Sequence, residues 1–146
     1  MSAFQILKRR ATNDRDKIAE TVADCRSQLE TQTQLLLRTE EIAQAYQRKM
    51  SSMQDSATHF GDLQLYRTSL KQIQQAVGHI RMQINAIETD LARKQKLLAQ
   101  AELERQKYLK LVEREESQLK VIQSRQESRE MDELGSILHQ RKHRLA

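Results

Sequence analysis

His139 and His143 are the first residues that could do chemistry, because a spacing of four sets both rings on one face of a helix. Zinc asks for three or four ligands, and no cysteine or clear third donor stands near this pair. Cys25 is the sole cysteine, so no internal disulfide forms, and no neighbour would activate its thiol; it reads as a small residue of a packed seam. A lone cysteine also agrees with a reducing compartment. Gly61, Gly78 and Gly135 lie too far apart to write the phosphate-cradling loop G-x-x-x-x-G-K-[ST]. Acidic residues are plentiful but scattered through polar sequence, with no apolar pocket to raise a carboxyl pKa, so acid–base catalysis has no setting. The chain is expected not to be an enzyme, and to take no cofactor and no metal.

The elements that carry these residues follow from composition. The 146 residues are 31% charged and 38% hydrophobic, with no Trp, which does not suffice for a large core and predicts a single coiled-coil domain over 1–146. Proline, which breaks helix interiors, is absent, and glycine, which costs roughly 1 kcal/mol there, occurs three times. Helix can run almost end to end.

Apolar residues recur at steps of three and four from Leu63 through Tyr66, Leu70, Ile73, Val77, Ile80, Ile84 and Ile87 to Leu91. A second register runs from Ile18 through Val22, Cys25, Leu29, Gln32, Leu36, Thr39, Ala43, Tyr46 and Met50 to Met53. Both are heptad seams. The segment QDSATHFGDL between them collects the turn-forming residues. These signals predict an all-α fold: helix one over about 3–55, a turn at about 56–61, helix two over about 62–134 with Asp62 placed to cap it, and a basic tail at 135–146.

So narrow a stripe leaves an isolated helix marginal, and its stability must come from another helix. Folding back at the turn makes an antiparallel coiled-coil hairpin with the second helix longer. Residues near 4 then oppose residues near 115; at about 1.5 Å per residue the shared length is roughly 75 Å, with roughly thirty C-terminal residues left over. A parallel dimer of two chains uses the same seams. Toward the termini Lys94, Arg105, Glu115 and Arg129 occupy inward positions opposite an arm carrying Lys8 and Arg15. These charges are expected to snorkel or fray.

The formal net charge is +5. Nucleic-acid binders concentrate Arg and Lys with few acids, whereas RKQKLLAQAELERQKYLKLVEREESQLK mixes both signs, so no nucleic acid is expected as partner. Only the end, HQRKHRLA, is basic without acids, and is the one stretch that would suit an acidic partner, a lipid headgroup or nucleic acid. No apolar run reaches the roughly 18 to 20 residues that span a bilayer, and MSAFQILKRR has no signal-peptide pattern, so a cytoplasmic location is expected.

These features resemble the flagellar export protein FliJ family, stalk components of the type III export apparatus. The stretch LQLYRTSLKQI resembles the start of that family's second helix, with Tyr66, Leu70 and Ile73 at its aromatic and apolar places, and Tyr46 at the aromatic place late in the first helix. SRQESREMDELGSILHQRK resembles the family's C-terminal run, with Met131, Asp132, Glu133 and Leu134 as its motif. Stalks of virulence-type secretion systems share the shape, and the Met-Asp-Glu-Leu ending favours the flagellar branch.

The resemblance implies a non-enzymatic part. Its hairpin end would insert into a hexameric export ATPase, promoting its assembly and activity, and would link it to the cytoplasmic domain of the membrane export gate and to export chaperones. The location implied is the cytoplasmic face of the membrane at the flagellar basal body, as a peripheral protein. The implied gate-binding positions are Thr39, Ile42 and Tyr46 on the first helix and Ser69, Ile73, Ala76 and Ile80 on the second. Tyr46, Ile73 and Ile80 also belong to the seams. Basic residues expected at the ATPase are Arg9, Arg10, Lys17, Arg114, Lys120 and Arg125. A general coiled-coil scaffold is the other reading of the same seams.

Overall fold

A computed structural model describes residues 2–54 and 60–145. It contains two helices, α1 (Ala3–Gln54) and α2 (Phe60–Leu145), and no strand among the described residues. The helices pack against each other and the second is the longer, as the seams predict. The expected turn at 56–61 lies outside the described residues, save for Phe60 and Gly61, which already belong to α2. Asp62 consequently sits inside the first turn, where its charge faces the positive end of the helix dipole.

At the other end of α1, Ser2 and Gln5 form a capping box. The Gln5 amide donates to Ser2 Oγ at 3.2 Å, and the Ser2 amide donates to Gln5 Oε1 at 3.1 Å. This exchange satisfies donors that a helix start otherwise leaves open. The expected stop before a tail at 135–146 is not observed: α2 continues to Leu145. Gly135 has no positive φ, and the residues around it are good helix formers, so its cost of about 1 kcal/mol is spread over a long cooperative helix.

The chain divides into two units of packing, Asp16–Gln100 and Met1–Arg15 with Ala101–Ala146. In the Asp16–Gln100 unit every residue of both predicted seams that falls within it is buried or half-buried. Val22, Cys25 and Ile80 are its innermost side chains, at 3%, 3% and 6% exposure. Cross-helix contacts fix the direction. Cys25 donates to the Ile87 carbonyl at 3.7 Å, Arg81 meets Glu40 at 2.6 Å, and the Tyr46 and Tyr66 rings meet edge-on at 5.4 Å. Position rises along one helix as it falls along the other, so the pair is antiparallel.

In the second unit, Ala11 and Val112 are buried, and Leu7, Lys8, Thr12 and Arg15 are half-buried alongside Ala101, Arg105, Tyr108 and Glu115. From Glu116 through Arg144 every residue is exposed. That stretch is the unpartnered remainder expected from the register.

Candidate partner-binding surfaces

Three of the inward charges of the sequence, Arg15, Lys94 and Arg105, find carboxylates. In the Asp16–Gln100 unit Lys94 Nζ lies 2.8 Å from Asp90, which Arg93 also reaches at 2.7 Å. The hydrogen bond from Lys94, then that from Arg93, holds the Asp90 carboxyl below the usual range, and Asp90 raises the Lys94 ammonium in return. Cys25 Sγ is 4.0 Å from the same carboxylate and is buried, so it is part of this packed cluster.

In the other unit Glu102 takes two guanidinium groups. Arg105 reaches it through two nitrogens at 2.6 and 3.0 Å, and Arg15 crosses from α1 at 3.1 Å. Chiefly through the Arg105 hydrogen bonds, the Glu102 carboxyl falls from 4.5 to about 2. Glu115 differs: its Oε2 is buried without a hydrogen-bond partner. Arg129 lies on the fully exposed stretch of α2.

Of the positions suggested for an export gate, Ile42, 49% exposed, and Ala76 stand on the surface of the Asp16–Gln100 unit. Thr39, Tyr46, Ser69 and Ile73 are half-buried, and Ile80 is buried in the seam. The Thr39 hydroxyl is committed to its own helix, donating to the Leu35 carbonyl at 2.7 Å. Tyr46 is committed to Tyr66. A ligand reaching this face of the closed hairpin meets Ile42 and Ala76 before it meets the seam. On the other side of the seam, Glu40, Ala43 and Gln44 of α1 and Gln74, Val77, Gly78 and Arg81 of α2 line a groove that the sequence did not suggest. Ala43 is half-buried there, while Gly78 is exposed, with open space where a Cβ would stand.

The basic candidates are distributed over both units. Lys17 is exposed on the Asp16–Gln100 unit. Arg9 and Arg10 on α1, and Arg114, Lys120 and Arg125 on α2, are exposed in the other. The motif residues Met131, Asp132, Glu133 and Leu134 are likewise exposed, Met131 at 70%. The His139 and His143 rings stand edge to face, 4.9 Å apart. Among the described residues no group of three His, Cys, Asp or Glu is placed to hold a metal, and no helix is long and apolar enough to cross a membrane. These surfaces offer contacts for other macromolecules, with mixed charge at one unit, and an apolar face and a separate polar groove at the other.

The family model described as "Flagellar FliJ protein" matches residues 1–144. No curated protein and no solved structure matches the chain.

Proposed function

This chain belongs to the flagellar FliJ protein family, and from that membership we propose that it is a non-enzymatic stalk of the flagellar type III export apparatus. In this reading the paired segments 2–15 and 101–115, with the α2 helix beyond them, enter the centre of a hexameric export ATPase and promote its assembly and hydrolysis. The face bearing Ile42 and Ala76 binds the cytoplasmic domain of the membrane export gate, and export chaperones are further partners. Tyr46, Ile73 and Thr39 support that face from the seam, half-buried Ser69 stands beside them, and Ile80 acts by holding the hairpin closed. The protein works in the cytoplasm, peripherally attached at the basal body.

The observation that carries this reading, besides the family, is the exposure of every residue from Glu116 through Arg144 on a continuous helix. A helix with no partner in its own chain draws its stability from other molecules. Its mixed charge suits many modest contacts that are exchanged as ring subunits change state.

The test is hexamer assembly and ATP hydrolysis by the cognate flagellar export ATPase, with the protein added at near-stoichiometric ratio. Stimulation together with ring formation is expected, and Arg9→Glu with Arg10→Glu should reduce both. If the folded hairpin leaves assembly and hydrolysis unchanged, the stalk reading fails and the seams are those of a scaffold.

A further inference from the structure

One face of α2 within the second unit is basic, apolar and free of acids. Leu103, Lys107, Lys110, Arg114, Val121 and Arg125 follow one another at steps that keep them on one side of a helix, with Gln118 completing the row. Leu103 is 68% exposed, and the cations are exposed too. Two adjoining surface grooves run along this row. One is lined by Leu103, Lys107, Lys110, Leu111 and Arg114, and the next by Arg114, Val121, Ile122 and Arg125 among others; neither lining contains Asp or Glu.

The cations of this row differ from the two half-buried arginines of the unit. Arg15 and Arg105 are bound to Glu102. Lys107, Lys110, Arg114 and Arg125 make no ion pair with any described residue; Lys107 Nζ lies 5.4 Å from the Tyr108 ring centre. They form a line of unneutralised charge with apolar side chains interleaved.

We propose that this stripe is a docking surface for an acidic amphipathic helix of a partner protein, with carboxylates opposite the four cations and Leu- or Ile-type side chains over Leu103, Leu111, Val121 and Ile122. Width selects a helix over other polyanions. By helical geometry Glu104 and Glu113 lie on opposite flanks of the row, so a duplex backbone or a flat lipid surface meets carboxylates on both sides. A single helix fits between them and avoids both. The stripe is about 33 Å long at ~1.5 Å per residue, matching a partner helix of about six turns.

The proposal shares Arg114 and Arg125 with the suggested ATPase contact but does not rest on it. Its test contains no ATPase, so each can fail alone. The probe is a fluorescein-labelled peptide of about 23 residues, with Leu at the a and d heptad positions and Glu elsewhere. Anisotropy with the full chain should show binding that weakens about ten-fold in the triple variant Lys107→Glu, Lys110→Glu, Arg114→Glu. These residues are exposed, so the helix content of the variant, read by circular dichroism, should match the parent. A peptide of the same composition but scrambled order should bind about ten-fold more weakly than the heptad peptide, because its apolar and acidic faces are mixed. The proposal is overturned if the triple variant binds unchanged, or if the scrambled peptide binds equally. It is also overturned if a DNA duplex of equal length, or vesicles of phosphatidylserine and phosphatidylcholine, bind more tightly than the peptide through the same residues.

Discussion

The two units use the same device, one helix against another, and fill it differently. Asp16–Gln100 closes its seam with Val22, Cys25, Ile80 and half-buried Leu, Ile and Tyr residues, and uses ions at the margins. The unit of Met1–Arg15 with Ala101–Ala146 has Ala11 and Val112 as its buried residues and sets Arg15, Glu102 and Arg105 beside them. Hydrophobic burial does not depend on pH and is hardly weakened by salt, whereas half-exposed ion pairs are screened and titrate. The first unit is built to persist, and the second to respond to what surrounds it.

The largest effect should come from putting a charge into the apolar seam. Ile80→Asp leaves an unpaired carboxylate at a 6% exposed site and should cost at least ~3 kcal/mol, seen as a large fall in the melting temperature by circular dichroism. Ile122→Asp, on the exposed helix, should change it by less than ~0.5 kcal/mol. Equal losses in the two variants would erase the distinction between a packed and an unpartnered stretch of α2.

A smaller effect is expected at the capping box. Ser2→Ala removes the acceptor of the Gln5 amide and should cost up to ~1 kcal/mol, read as faster amide hydrogen exchange in the first two turns of α1. Exchange in 22–50 should not change, since those residues belong to the other unit.

The smallest and most conditional effect belongs to Glu102. Its carboxyl is depressed from 4.5 to about 2, so it stabilises the fold fully above pH 4.5 and progressively less as pH falls toward 2. Glu102→Gln should therefore melt below the parent at neutral pH, and the gap should close across that window. A gap that stays constant in acid would mean that Arg15 and Arg105 are held by packing and not by charge.

The seams were legible because burial on one side imposes a period, and Leu63 to Leu91 repeat it without interruption. Inward charges were legible as positions but not as pairs. Arg105 finds Glu102 three residues back, yet Arg15 reaches the same carboxylate from the other helix, and only the register between helices brings it there. Gly135 was read as a stop because glycine is a common helix terminator; without a positive φ or a following proline it remains an ordinary, costly helical residue. The box of Ser2 and Gln5 has an S-x-x-Q signal, but no cap for α1 was among the features expected from the sequence. Among the gate positions, the seam registers already set Thr39, Tyr46, Ile73 and Ile80 apart from Ile42 and Ala76, but they left Ser69 outside the seam, and the structure half-buries it beside Leu70.

The span between paired residues has a consequence for the order of events during synthesis. Tyr46 and Tyr66 are made close together, Glu40 and Arg81 are 41 residues apart, and Arg15 must wait 87 residues for Glu102. Closing a longer loop adds only about 0.6 kcal/mol per doubling, so the delay is one of availability more than of free energy. On the ribosome the arm of α1 made earliest stays single while the rest of that helix is being matched. It becomes complete only after the ribosome has passed residue 115, and until then its Leu7 and Ala11 face the cell unmatched.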